Sequence, residues 1–403
     1  MKYLKIITVA GLAASLLWQI PNITTKAEEI GKVKTHENRQ LSVQKKILND
    51  NLPRFVFNSG RHFEYPDAVR GIYVTGHSAG GSKFNDLVKL VDSTELNAMV
   101  IDVKDDWGKI TYKLPKDSPF AHLGQNYIND PKKMLDVLEE KQIYPIARIV
   151  VFKDSTLPKT RPDLSFMDGK KIWENGRGES FVNPFLKEVW DYNVDIAIEA
   201  AKLGFQEIQF DYVRFPEGFE NRDTQLKYGL GDYKDSKEDN VQKRVHAVTD
   251  FVAYAKERLE QYGVKVSVDI FGYTATLPEA PGIGQNFSKI SEHVDVISSM
   301  IYPSHWTSYF GIVKPDLEPY NLVREYAKLE KSKLKELKNP PISRPWLQDF
   351  TASYLGAGNY QVYGKEQVEA QIKALHDEGI YEYLLWNAGN KYSPNVDYTF
   401  KKE

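Results

Sequence analysis

Hydrophobic and polar positions follow two different periods along most of the chain. Short apolar runs with a period of two predict strands, and longer segments with apolar residues three and four apart predict helices. The predicted strands are Gly71–Thr75, Ala98–Lys104, Tyr144–Phe152, Glu207–Phe215, Lys265–Phe271, Asp295–Tyr302, Arg344–Phe350 and Tyr381–Asn387. The predicted helices are Lys83–Ser93, Pro131–Lys141, Pro184–Leu203, Asn240–Tyr262, Phe287–His293, Glu318–Leu337 and Lys365–Asp377. This alternation predicts an α/β fold, a (β/α)8 TIM barrel.

The predicted connections are unequal in length. Links from helix to strand are short, as at Gly204–Gln206, whereas links from strand to helix are long, as at Lys153–Asn183 and Glu217–Asp239. In a barrel the long loops gather over the C-terminal ends of the strands, where such folds carry their active sites. A doubly wound open sheet is the structural alternative, but it more often has a glycine-rich first turn and no such asymmetry. No eighth helix is predicted, and the N-terminal extension is a candidate to cover that side.

The N-terminal residues are typical of an export signal. Lys2 and Lys5 precede the apolar run Ile6–Ile20, and small residues follow around Ala27. We therefore divide the chain into a signal peptide or N-terminal anchor (1–27), a linker or N-terminal extension (28–67) and the barrel (68–403). We expect the barrel to be secreted or associated with the cell envelope, with membrane contact only through an uncleaved N-terminal segment.

Amino-acid composition limits the partners, nucleophiles and cofactors that the protein could use. The 403-residue chain has a net charge of −2, which gives no electrostatic case for a nucleic acid partner. It contains no cysteine, which excludes a thiol nucleophile and thiolate metal ligands. The 8 histidines lack paired spacing, and the acidic run Asp232–Asp239 lacks the calcium-loop pattern. With no nucleotide fingerprint either, we expect no metal and no cofactor.

Polar side chains cluster at the C-terminal ends of the predicted strands. They are Asp102 and Lys104, Arg148, Asp211, Asp269, Tyr302 and His305, Asp349, and Asn387, on strands two to eight in turn. Alternation places Asp211 and Asp269 on the inward face of neighbouring strands, which lie about 4.8 Å apart. Their carboxyl groups could then be about 5 Å apart, the separation of a retaining glycosidase. The alternative for each aspartate is a structural ion pair with Lys104, Arg148 or Arg214.

Aromatic residues surround the same predicted mouth. They are Trp107, Tyr112, Trp173, Tyr302, Trp306, Tyr309 and Trp386. A flat ring can stack on the apolar face of a sugar while polar side chains bind its hydroxyl groups. The alternative is ordinary burial, and we expect Trp190 and Trp346 to be core or loop anchors.

The segment Gly76–Gly80, Gly-His-Ser-Ala-Gly, matches the nucleophile elbow of α/β-hydrolases. His305 or His376 could complete a triad with Ser78. In those enzymes, however, earlier strands precede the elbow and one of their loops supplies part of the oxyanion hole. Here the elbow follows the first predicted strand, so we favour a glycine-rich barrel loop from which His77 reaches the site.

Four segments carry a resemblance to a known family: Arg70–Gly76, Val100–Trp107, Phe210–Pro216 and Val268–Tyr273. Through these, the chain from Ala68 to Asn390 resembles a family of exported bacterial glycosyl-hydrolase-like proteins of unknown function. That family is distantly similar to α-amylase-type barrels, in which the aspartate on strand four is the nucleophile. The resemblance therefore implies Asp211 as nucleophile. It would place a glutamate acid on strand five, where this chain has Asp269.

Together these observations predict a retaining glycoside hydrolase acting on a cell-wall or extracellular polysaccharide. Asp211 would attack the anomeric carbon and Asp269 would protonate the leaving oxygen, with Asp349 or Asp102 as alternative acids or hydroxyl-binding groups. The predicted substrate-binding residues are Asp102, Lys104, Trp107, Arg148, Arg214, Tyr302, His305, Trp306, Trp386, Asn387 and His77. Two other functions stay open: a non-catalytic carbohydrate-binding barrel of the wall, and a Ser78 esterase.

Overall fold

The computed structural model describes residues 56–400. The predicted signal or anchor (1–27) and most of the predicted linker (28–67) lie outside these residues. From Val56 onward the chain forms one compact unit. Within the described part, no helix combines the length and hydropathy needed to span a membrane.

Eight parallel strands close into a barrel, which confirms the predicted fold class. They are β1 (Arg70–Val74), β2 (Ala98–Lys104), β3 (Tyr144–Val150), β4 (Glu207–Asp211), β5 (Lys265–Phe271), β6 (Val296–Met300), β7 (Trp346–Gln348) and β8 (Tyr383–Trp386). Each strand pairs with the next, and β8 pairs with β1 through Gly71 and Leu384, which closes the ring. Ile342–Ser343 pairs with β6 just before β7 begins.

Helices connect the strands on the outside of the barrel. They are α1 (Lys83–Asp92), α2 (Pro131–Glu140), α3 (Lys187–Leu203), α4 (Asn240–Leu259), α5 (Phe287–Ser291), α6 (Pro319–Lys335) and α7 (Lys365–Asp377). Helix α3 begins at Lys187 rather than at the predicted Pro184, because the Asn183 side chain stabilises a turn there by accepting from the Phe185 N–H. It ends at Leu203, and Gly204 follows with a φ of 118°, which favours glycine.

The core has two layers, one on each face of the barrel wall. Val266, Val268 and Ile270 of β5 pack in the outer layer with the helices, as their alternation predicts. The inner layer, inside the barrel, contains Tyr73 and Trp346 with smaller apolar residues of β2, β3 and β8. Because alternate residues of each strand point inward, polar groups at the C-terminal strand ends share one side of the barrel.

The described N-terminal residues pack against the barrel, so they are not a free linker. The Phe57 N–H donates to the Gln261 carbonyl over 2.8 Å, and Arg61 forms a 2.9 Å ion pair with Glu139 of α2. The Tyr65 hydroxyl donates to Glu382 just before β8. These contacts lie at the N-terminal ends of the strands, opposite the long loops.

The place of an eighth helix is taken by the residues that follow β8. Val396 and Tyr398 are buried there, and the Tyr383 hydroxyl donates to the Tyr398 carbonyl over 2.8 Å. The Asp397 N–H donates to Glu369 of α7. The C-terminal segment therefore covers the barrel wall where an eighth helix would lie. The sequence analysis did not predict this role for it.

Candidate active site

A cavity of about 1030 Å³ opens at the C-terminal ends of the strands. Its floor is formed by Arg148 of β3, Asp211 of β4 and Asp269 of β5. One wall consists of charged residues from the loops after β2 and β3, and the other of aromatic residues from the loops after β5 and β6. The long loops predicted for this face therefore do enclose a site.

Arg148 is the central cation of the floor. Its Nε and Nη2 donate to Asp211 Oδ2 over 2.9 and 2.6 Å. Its Nη1 donates to Asp102 Oδ1 over 2.7 Å and to Asp106 Oδ2 over 3.3 Å. The Arg148 side chain is only 1% exposed. One buried guanidinium is thus shared among three carboxylates, and such charge-assisted pairs are short and directional.

Asp102 does not line the cavity itself, but it bonds to Arg148, which does. The Tyr73 hydroxyl donates to Asp102 Oδ2 over 2.6 Å, opposite the bond from Arg148. Burial raises the pKa of Asp102 to about 6, although the Arg148 charge opposes this rise. A single guanidinium shared among several acids does not fully compensate the loss of solvation.

Asp211 and Asp269 lie on adjacent strands at matching heights. Gln209 of β4 pairs with Ser267 of β5, so the residues two positions further along each strand face the same interior. Burial raises the pKa of Asp269 well above its ordinary value, and the nearby Asp211 charge raises it further. The two carboxyl groups are therefore distinct. Asp211 is held by a guanidinium, and Asp269 favours its protonated form.

Trp346 supplies the hydrogen bond that Asp269 receives. Its indole Nε1 donates to Asp269 Oδ1 over 2.8 Å. Trp346 is buried in the inner core, as expected of an anchor, and it also lines the cavity. Trp190 is buried too and donates to the Pro184 carbonyl, as expected.

Tyr212 breaks the alternation of β4. Its φ of 52° lies in the left-handed region, which is strained for a side chain of this size. The turn brings the Tyr212 N–H within 2.6 Å of Asp211 Oδ1 and places the Tyr212 ring at the cavity. The strand consequently ends at Asp211 rather than at the predicted Phe215, and both Asp211 oxygens are held. Strained backbone of this kind tends to cluster at functional sites.

The aromatic wall is built from two pairs of rings. Phe271 and Tyr273 stack with centroids 5.6 Å apart, and Trp306 and Tyr309 lie 5.4 Å apart. Tyr273 is 40% exposed and Tyr309 39% exposed. Nearby, burial lowers the pKa of His305, which favours its neutral form. Partly exposed rings beside polar groups suit the apolar face of a sugar.

The charged wall is organised around Lys153. Its ammonium group lies 2.7 Å from Glu179 and 3.2 Å from Asp106. Burial opposes ionisation of Asp106, but the Arg148 and Lys153 charges outweigh it and lower the pKa of Asp106. This wall therefore presents ionised carboxylates that already have cationic partners.

The structure brings eight of the predicted site residues to the cavity. They are Asp211, Asp269, Arg148, Arg214, Tyr302, His305, Trp306 and Trp386. Tyr309 of the predicted aromatic set is also there. Arg214 was considered as an ion-pair partner of Asp211, but the two side chains do not bond. Its Nη2 pairs instead with Glu217 over 3.1 Å, and its guanidinium lies 4.8 Å from the centroid of the Tyr212 ring.

The placement expected for Lys104 is wrong. A β-bulge shifts the pairing of β2 with β3 between Asp102 and Lys104, so Lys104 turns to the outer face. There it forms a fully buried 2.8 Å ion pair with Asp154. It also donates to Asn193 of α3 over 3.0 Å. Lys104 therefore holds β2 to α3 and does not reach the cavity.

Asp349 and Asn387 also lie outside the cavity. Trp346 faces the interior, so strand alternation places Asp349 on the opposite side, with Leu347. Asp349 accepts from the Ser393 N–H over 2.9 Å and from the Ser393 hydroxyl over 2.6 Å. The Asn387 side chain donates to the Asp349 carbonyl. Both residues stabilise the segment after β8, which corrects their predicted catalytic and binding roles.

The remaining predicted residues lie away from the cavity. Trp107 is 52% exposed on the loop after β2. Tyr112 and Trp173 are buried in the outer core. His77 stacks on Tyr127 with centroids 3.9 Å apart instead of reaching the site.

The nucleophile-elbow motif forms a short helix, Gly76–Gly80. Its Ser78 N–H is capped by the Thr75 hydroxyl. No histidine or acidic side chain of residues 56–400 hydrogen-bonds the Ser78 hydroxyl. This geometry gives no support to a serine triad.

Many cavity residues were missed by the sequence reasoning, among them Asp106, Glu179, Tyr212, Glu217 and Trp346. Asp106 carried a signal, since it ends the run Ile101–Asp106, Ile-Asp-Val-Lys-Asp-Asp, which begins inside β2. Trp346 also carried a signal, because the alternation of side chains along β7 directs it inward. Glu179 had none, since its position depends on the fold of a long loop. In the described range no group of three or more His, Asp or Glu side chains is arranged to hold a metal ion.

A closed (β/α)8 barrel with paired carboxylates and an aromatic wall over its C-terminal face defines a TIM-barrel protein of the glycosidase type. Comparison with known proteins agrees with this class. The chain belongs to the family described as "Putative glycosyl hydrolase domain", whose model matches residues 71–392.

The same fold is found in a glycoside hydrolase domain of known structure. The glycoside hydrolase domain of PgaB (BpsB) from Bordetella bronchiseptica is 14% identical, with a TM-score of 0.56, over 80% of this chain and 94% of that one. A hypothetical protein from Ruminiclostridium thermocellum is 30% identical over 49% of this chain and 96% of that one, with a TM-score of 0.42. An α-amylase from Lactobacillus plantarum is 13% identical over 80% of this chain and 71% of that one, with a TM-score of 0.49. No curated protein matches the chain.

Proposed function

We propose that this protein is a retaining glycoside hydrolase that cleaves a cell-wall or extracellular polysaccharide. The observation that carries the proposal is the pair of unlike carboxyl groups on the cavity floor. Asp211 is held by Arg148, and Asp269 is buried beside it with a raised pKa. Pairs of titratable groups whose environments differ in this way are typical of acid and nucleophile assignments.

In the proposed reaction an Asp211 oxygen attacks the anomeric carbon and forms a glycosyl ester. Asp269 gives its proton to the glycosidic oxygen as that bond breaks, and the leaving sugar departs as an alcohol. Asp269, now ionised, takes a proton from water, which hydrolyses the ester and regenerates both groups. Adjacent strands about 4.8 Å apart suit the close carboxyl groups of a retaining enzyme.

The walls of the cavity support a sugar polymer as the substrate class. Phe271, Tyr273, Trp306 and Tyr309 offer ring faces for stacking, while the opposite wall offers carboxylates and amides for hydroxyl groups. The volume of about 1030 Å³ is at the upper end for small-ligand clefts, so more than one sugar unit is expected to fit. Export, and with it a wall or extracellular substrate, is proposed from the N-terminal pattern.

The test is a screen of purified wall and extracellular glycans, read by release of reducing ends. Wild-type protein is expected to cleave at least one glycan, and Asp211→Asn is expected to lose about a thousandfold or more in kcat while still binding it. Asp168→Asn, an exposed change on the loop after β3, is the matched control and should keep full activity. Equal activity of Asp211→Asn and wild type would reject the mechanism. Glycan binding without cleavage by wild type would favour the non-catalytic barrel.

A further inference from the structure

Trp346 is placed to control the orientation of the Asp269 carboxyl group. The ring is 1% exposed at the cavity floor, and its N–H donates to Asp269 Oδ1. In residues 56–400 no other hydrogen-bond donor reaches this carboxyl group. Its second oxygen, Oδ2, accepts no hydrogen bond from these residues, and Asp269 lines the cavity.

Trp346 is itself fixed by two other rings inside the barrel. It meets Trp386 edge-on at 5.5 Å and Tyr73 edge-on at 6.5 Å, while Tyr73 and Trp386 stack at 4.0 Å. The Arg148 guanidinium lies 5.5 Å from the centroids of both Tyr73 and Trp386. One group of three rings thus supports the cation that holds Asp211 and also carries the donor to Asp269.

We propose that Trp346 is a positioning residue for Asp269: its indole N–H fixes Oδ1 and so aims Oδ2 at the glycosidic oxygen. The inference rests on the function proposed above and adds the group that orients its acid. Trp346 comes from β7, whereas Asp269 lies on β5, so the contact depends on β6, which pairs with both strands.

The expected effect of Trp346 follows from the groups that face Asp269. Asp211 and Glu207 of β4 disfavour its ionised form, as burial does, and Arg148 of β3 favours it. Tyr302, after β6, also faces Asp269. The Trp346 N–H favours the ionised form by donating to it, so its removal should raise the pKa of Asp269 further. A shift of roughly one unit is expected for one bond to a charged group.

The test compares Trp346→Phe with Trp190→Phe. Both changes remove one buried indole N–H, but the N–H of Trp190 donates to the Pro184 carbonyl, and neither residue lines the cavity. Titration of 13C-labelled aspartate carboxyl groups, with Asp269→Asn to assign the signal, reports Asp269 directly. Its midpoint should rise by roughly one unit in Trp346→Phe and stay unchanged in Trp190→Phe. The same midpoint in all three proteins would overturn the inference.

This readout separates the inference from the proposed function. If no glycan is cleaved but the Asp269 midpoint moves, the proposed function fails and the role of Trp346 in holding Asp269 stands. If glycans are cleaved and neither the midpoint nor the basic limb of the kcat/KM pH profile moves, the positioning role is wrong.

A second measurement needs no change at Trp346, in case that variant does not fold. In wild-type protein the 1H–15N indole signal of Trp346 should titrate with the same midpoint as the Asp269 carboxyl group. In Asp269→Asn that titration should disappear. An indole signal that does not respond to pH would overturn the inference.

Discussion

At the scale of single residues, the site depends on one cation shared among several acids. Arg148 uses three nitrogens to reach Asp211, Asp102 and Asp106 at once. Lysine has the same charge but a single nitrogen, so it cannot hold both Asp102 and Asp211 in these positions. The fork geometry of Arg148 is therefore a specific requirement of the proposed mechanism, beyond its charge.

We expect Arg148→Lys to lower kcat at least a hundredfold on whichever glycan is cleaved, because Asp211 loses its paired donors. Arg148→Met should also lower the free energy of unfolding by about 3–5 kcal/mol, since it leaves buried carboxylates without a cation. Urea unfolding and steady-state kinetics measure the two effects.

Arg344→Lys is the matched control for Arg148→Lys. Arg344 is as deeply buried, with ion pairs to Glu207 and Glu382, but it lies near the N-terminal ends of the strands. This variant should lose stability and keep kcat in its folded fraction. An Arg148→Lys protein with wild-type kcat would contradict the role assigned to Arg148.

At the scale of elements, strand periodicity predicted the carboxyl pair at the centre of the site but not the residues around it. The inward positions of Asp211 and Asp269 follow from alternation alone, because β4 and β5 pair without interruption up to Gln209 and Phe210. The bounds of β2, β5 and α7 were also predicted as the structure has them. Regular elements are determined by local patterns, which a single sequence contains.

The errors arose where pairing or backbone conformation departs from the regular pattern. Lys104 turns outward because of a bulge against Ile149, and a bulge depends on the partner strand. Tyr212 enters the cavity because its φ is positive, which the sequence does not reveal for a tyrosine. Trp346 reaches Asp269 because β6 pairs with the strands of both residues, which are distant in sequence. Such features belong to the tertiary structure and have no local signature.

At the scale of the whole molecule, buried acids with raised pKa values make stability depend on pH. Asp102 has a pKa of about 6 in the folded protein, against an ordinary value of 3.8. The folded state therefore binds this proton more tightly than the unfolded state. Its stabilising contribution is complete below the ordinary pKa and is lost as the pH rises through about 6. Asp269 acts in the same direction.

We expect Asp102→Asn to weaken the pH dependence of stability, because the amide cannot ionise. Between about pH 4 and pH 7 the wild-type free energy of unfolding should fall relative to that of the variant, by at most about 3 kcal/mol. Urea unfolding at a series of pH values measures this difference. Asp163→Asn is the control, since Asp163 is exposed and its hydrogen bonds with Arg161 lower its pKa. Parallel pH curves for wild type and Asp102→Asn would contradict the assignment.

The central claim is that Asp211 forms a covalent bond to the sugar, and mass spectrometry can test it directly. The protein would be treated with the 2-deoxy-2-fluoro glycosyl fluoride of the sugar found in the glycan screen, digested, and its peptides weighed. The account predicts one added fluorosugar on the peptide that contains Asp211, and none in Asp211→Asn. A fluorosugar on another residue, or cleavage that gives the inverted anomer without any labelled peptide, would contradict it.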